Sequence, residues 1–104
     1  MRIYGWLKEL ADRQGSDLYL ATGAPACAKF DGALTALSVE TLAPGEVSNI
    51  ANELMDEAQR QEFERDLEMN LAVSLPEIGR FRVNIFRQRS EVSIVARFIV
   101  SDIP

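Results

Sequence analysis

Gly79-Arg80-Phe81-Arg82-Val83-Asn84-Ile85-Phe86-Arg87-Gln88-Arg89, with Val92-Ser93-Ile94-Val95-Ala96-Arg97-Phe98-Ile99 close behind, decides the fold of this chain. The first run alternates: Phe81, Val83 and Ile85 fall on one face of a strand, and Arg82 and Asn84 on the other. The second run alternates in the same way. A two-residue turn at Arg89-Ser90 makes the numbers of paired residues sum to 179. Phe81 then meets Phe98, Val83 meets Ala96 and Ile85 meets Ile94, so one face is wholly apolar. On the other face Arg82 meets Arg97. Like charges directly opposed on a sheet are destabilising, so in a chain of net charge -5 such a pair invites an anionic partner. A longer turn would shift the register by two residues and leave both arginines on that face.

Composition narrows the classes. The 104 residues suffice for one domain with a modest core. An apolar content of 47% and a charged content of 26% describe an ordinary globular chain. No apolar run approaches the roughly 20 residues of a membrane span, and the first ten residues lack the apolar core of a signal peptide. The single cysteine, Cys27, excludes an internal disulfide and is compatible with a reducing cytoplasm. Histidine is absent, which removes the commonest general base and metal ligand. The acidic balance argues against a nucleic-acid surface. The cations are nevertheless clustered: Arg80, Arg82, Arg87, Arg89 and Arg97 lie close together, with Arg65 just upstream, and read as a local anion site.

Periodicity orders the rest. Ile3, Trp6, Leu7, Leu10 and Ala11 predict a helix over residues 3–14, with Gly15 as its stop. Asp17 to Ala21 alternates as a strand, Thr22 to Pro25 turns, and residues 28–30 and 33–37 form strands around Asp31-Gly32. Pro44 can open a helix at its first position, and Val47, Ile50, Ala51, Leu54 and Met55 mark that helix's apolar stripe. Asp56 with Gln59 has the form of a capping box for a third helix, which carries Phe63 and Leu67 on one face. Asn70 to Leu75 is a strand, and residues 76–79 turn into the arginine hairpin. The order α-β-β-β-α-α-β-β-β, with short turns between strands, predicts an α+β domain: a mostly antiparallel sheet with helices packed on one face.

A self-contained active site is not legible. Neither lysine, Lys8 or Lys29, follows a glycine, so the chain has no phosphate-cradling G-x-x-x-x-G-K-[ST] motif. The motifs G-x-G-x-x-G and G-x-S-x-G and a zinc-ligand cluster are also missing. The acidic run Glu62 to Glu68 reads as a solvated helix face. Arg82 and Arg97 bind phosphate or pair with local carboxylates; spacing alone leaves both open. Cys27 reads as a small core residue, Trp6 as a packing or interface residue, and Asp17 as a turn or cap acceptor of backbone hydrogen bonds.

In their order, several segments resemble the N-terminal domain of the twitching-motility pilus-retraction ATPases (the PilT and PilU group) of the secretion-ATPase superfamily. They are Gly15-Ser16-Asp17-Leu18-Tyr19-Leu20, Gly23-Ala24-Pro25, Asp31-Gly32, Leu54 to Phe63, Leu67-Glu68-Met69-Asn70 and, most specifically, the tract from Gly79 to Arg89. Together they cover the chain from about Ile3 to Pro104. The resemblance implies a PAS-like module ahead of a RecA-like ATPase domain that carries the Walker motifs. It implies a homohexameric ring in which this domain packs on the ATPase domain of the neighbouring subunit. ATP and Mg would be bound in the full-length parent, with no cofactor expected in the isolated domain. By position, Arg82 and Arg97 match the two family arginines that reach nucleotide phosphate. Tyr19 stands where the family often has histidine. Asn70 stands where PilT-like chains usually carry an acid and PilU-like chains resemble this one. At Ile103-Pro104 the family continues toward its ATPase domain.

Residues 1–104 are therefore expected to form a single N-terminal PAS-like domain of a type IV pilus retraction motor, with the ATPase domain outside this chain. By itself the domain is expected not to be an enzyme. It is expected to be cytoplasmic, without a membrane span or nucleic-acid partner, and peripheral to the inner membrane through the pilus machinery. The alternative is a free-standing PAS-like sensor or protein-interaction module.

Overall fold

The computed structural model describes residues 2–100, so Ile103 and Pro104 lie outside the described residues. The elements are α1 (Arg2–Asp12), β1 (Asp17–Leu20), β2 (Cys27–Phe30), β3 (Ala33–Ala36), α2 (Glu46–Leu54), α3 (Glu57–Asp66), β4 (Glu68–Leu75), β5 (Gly79–Gln88) and β6 (Glu91–Ile99). Their order is the one the sequence predicts. One six-stranded sheet runs β3-β2-β1-β6-β5-β4, and every pairing of its strands is antiparallel. It consists of two three-stranded meanders joined where β1 pairs with β6.

The β5–β6 hairpin has the predicted register: Phe81 faces Phe98, Arg82 faces Arg97, Val83 faces Ala96 and Ile85 faces Ile94. Its turn residues Arg89 and Ser90 both have positive φ, 57° and 76°. Two positive φ values match the right-handed twist of the flanking strands in a two-residue hairpin loop. Asp31 and Gly32 do the same between β2 and β3.

Helix ends depart from the expectation in instructive ways. The left-handed residue after α1 is Gln14, with φ 55°, and not Gly15. Gln14 N–H donates to the Ala11 carbonyl and Gly15 N–H to that of Leu10, a Schellman closure. Gly15 is needed for space: a Cβ there would lie 2.7 Å from Leu10 Cδ1 and 2.8 Å from the Phe30 ring. Pro44 precedes α2 without opening it; Gly45 is the N-cap, and the Glu46 carboxylate accepts from Ala43 N–H at 2.9 Å. The capping box of α3 is present, with Asp56 accepting from Gln59 N–H and Gln59 accepting from Asp56 N–H. Leu67 is not on the apolar face of α3. It is the left-handed C-cap, about half exposed, and β4 starts directly after it at Glu68.

The helices all lie against one face of the sheet. Ile3, Trp6, Leu7 and Leu10 of α1 join Val47, Ile50 and Ala51 of α2 and Phe63 of α3. They close over Leu18, Leu20, Phe81, Val83, Ile85, Val92, Ile94 and Ala96. Burying each large side chain of this kind stabilises the fold by about 1.5–3 kcal/mol, before chain entropy is counted. Phe81 is fully buried, with its ring centroid 5.4 Å from that of Phe98. The α+β architecture with helices on one face stands as predicted.

Candidate functional site

The face of the sheet without helices carries the candidate site. Direct cross-strand partners share a face, so the register defines a row across it. Lys29 on β2 pairs with Asp17 on β1, Asp17 with Arg97 on β6, Arg97 with Arg82 on β5, and Arg82 with Ala72 on β4. The next row holds Cys27, Tyr19, Val95, Asn84 and Asn70.

The two arginines selected from the sequence are brought together here, but they are not equivalent. Arg97 Nε lies 3.4 Å from Asp17 Oδ1. Arg82 is exposed and, among the described residues, makes no ion pair or side-chain hydrogen bond. A shallow depression of about 370 Å³ opens between them, floored by Val95 and edged by Asn70 and Asn84. Asn84 Nδ2 donates to Asn70 Oδ1 at 2.9 Å, which fixes the polar edge of the depression.

The wider cationic cluster divides. Arg65 sits on α3 beside Asp66, whose hydrogen bond and charge raise the guanidinium pKa above its usual value. Arg87 points to the helix face, with its guanidinium 5.8 Å from the centroid of the Phe63 ring. Arg89 is at the hairpin tip. Arg80 shares the open face but lines a second depression at the end of the sheet, with Ile99 and Val100. Only Arg82 and Arg97 form a facing pair.

Two residues of this face, Asp17 and Cys27, differ from their sequence reading. Asp17 is not a backbone cap; it is a buried carboxylate, 8% exposed, whose hydrogen-bond partner is Arg97. The pairing that makes this contact joins residues 80 positions apart, so no local signal announces it. Cys27 is half-buried on the open face and not in the core, and its Sγ donates to the Pro25 carbonyl at 3.2 Å. Tyr19 is half-buried between Cys27 and Val95. Trp6 packs as expected, with the Arg2 guanidinium 4.9 Å from its ring. No helix among the described residues is long and apolar enough to cross a membrane.

Chemically, the facing arginines give this face the donors an anion would need. Two guanidinium groups offer planar N–H donors suited to phosphate. Among the described residues, no three histidine, cysteine or acidic side chains gather where they could hold a metal.

No protein-family model matches the chain. It is 36% identical over 98 residues to the type IV pilus ATPase PilU of Pseudomonas aeruginosa, which covers 94% of this chain and 26% of that protein. It is 32% identical over 93 residues to the type IV pilus retraction ATPase PilT of the same organism, covering 89% of this chain and 27% of that one. Among solved structures, the pilus retraction motor PilT with bound ADP superposes with a TM-score of 0.87 at 31% identity, over 98% of this chain and 30% of that one. The chain thus spans about a quarter of the length of the curated relatives it matches. It belongs, as the counterpart of their N-terminal domain, to the PilT and PilU family of pilus-retraction ATPases within the secretion-ATPase superfamily.

Proposed function

We propose that residues 1–104 are the N-terminal nucleotide-sensing and subunit-packing domain of a hexameric type IV pilus retraction ATPase. In this reading Arg82 and Arg97 are supplied to the phosphates of ATP bound, with its Mg, by a separate ATPase domain of the neighbouring subunit. The parent hydrolyses ATP; this domain does not. It works in the cytoplasm, peripheral to the inner membrane through the pilus machinery.

The observation that carries the reading is the facing pair on the open side of the sheet. Two cations held opposite each other gain stability when an anion sits between them. Donors fixed in place before the charge arrives stabilise it without reorganising. A polyphosphate brings more negative charge than one arginine can match, and Arg82 has no partner among the described residues to give up. Because the remaining phosphate contacts would lie on another domain, closure of the two surfaces would couple nucleotide state to domain rotation.

The free-standing sensor calls for an enclosed ligand cavity, whereas both depressions described above open to solvent. The reading frame beyond the Pro104 codon separates the two. A G-x-x-x-x-G-K-[ST] motif after a short linker and a predicted strand supports the motor. A stop codon there overturns it in favour of the sensor.

A further inference from the structure

We infer that Asp17 is the positioning residue of the arginine pair: it holds Arg97 by its Nε edge and keeps the outer edge of that guanidinium free for phosphate. The inference rests on the phosphate reading of Arg82 and Arg97 and goes beyond it. Asp17 lies between two cations, Lys29 on one side and Arg97 on the other, and is 8% exposed. A carboxylate has about four acceptor positions. Among the described residues this one accepts a single side-chain hydrogen bond, from Arg97 Nε, and caps no turn. Lys29, although directly opposite, forms no ion pair with it.

Energy alone gives little reason for this contact. At 3.4 Å it is loose, and the Arg97 side chain is 73% exposed, so solvent screens the attraction. Its geometric effect is larger. Arginine has five N–H donors in a rigid fork, one on Nε and four on the terminal nitrogens. Engaging Nε alone orients the plane and leaves the four outer donors without partners among the described residues. The same contact offsets part of the charge that Arg97 presents to Arg82. Arg97 is thereby pre-oriented and Arg82 mobile: one arginine is a fixed donor and the other an adaptable one.

The test uses Asp17→Asn, Asp17→Glu and Arg97→Ala. In the 104-residue chain, NMR relaxation should show the Arg97 Nε–H group ordered, and in Asp17→Asn as mobile as that of Arg82, with backbone spectra otherwise unchanged. Equal mobility of Arg97 with and without Asp17 overturns the inference. In the full-length ATPase, Asp17→Asn should lower kcat by about 10- to 100-fold, the scale of a misplaced catalytic group. The KM for ATP should stay within about twofold, and Asp17→Glu should restore part of the rate. If Arg97→Ala is impaired but Asp17→Asn turns over normally, the positioning role fails while the phosphate reading stands. If Arg97→Ala itself turns over normally, the phosphate reading fails and this inference falls with it.

Discussion

Arg82 and Arg97 stand directly opposite each other on β5 and β6, on the side of the sheet that carries no helix. Nothing in the fold requires the first of them. Arg82 is exposed, lacks an ionic partner among the described residues and faces a like charge. Arg82→Glu should therefore leave the isolated chain as stable as the natural one, or stabilise it by about 0.2–1 kcal/mol through an opposite-charge pair with Arg97. Urea denaturation in low salt measures this, and the gain should shrink as salt screens the pair. A loss above about 1 kcal/mol would show that Arg82 has a structural role.

The hairpin turn leaves stability unclaimed. Arg89 and Ser90 both occupy left-handed backbone, which side chains other than glycine and asparagine resist. Replacing the two by Asn-Gly should stabilise the chain by about 1 kcal/mol and raise the melting temperature by about 4–8 °C. Calorimetry decides the matter; an unchanged or lower midpoint would mean that Arg89 or Ser90 makes a compensating contact.

Phe81 anchors the opposite face. It is fully buried against Phe98 and the helix layer. Phe81→Ala should cost about 3–5 kcal/mol. Against a total stability of about 5–15 kcal/mol for a domain, that makes the variant marginal at physiological temperature. A loss under about 1 kcal/mol in urea melts would mean that the core repacks around the missing ring.

The legible parts of the molecule were those set by neighbouring residues. A two-residue turn fixes the register of its hairpin, so Arg82–Arg97 followed from the sequence between Gly79 and Ile99. Strict alternation assigned each side chain to a face, and the Asp56–Gln59 spacing located the start of α3. Parts that depend on distant pairing were not legible. Asp17 meets Arg97 only because β1 inserts beside β6, a pairing with no local cue. Cys27 looked like core by residue type, but its strand parity puts it on the open face. Leu67 fitted the apolar stripe of α3 until the helix stopped one residue earlier, at Asp66. At the end of α1 the sequence predicts Gly15 as the stop, whereas Gln14 takes the left-handed conformation and Gly15 makes room for Phe30.

The most direct test of the central claim is steady-state ATP turnover by the full-length protein carrying Arg82→Glu, beside the natural sequence. With the charge reversed where phosphate is expected to dock, turnover should fall by at least about 100-fold, the scale of losing one donor to a developing charge. The domain should remain folded. Normal turnover by a folded Arg82→Glu protein would contradict the account.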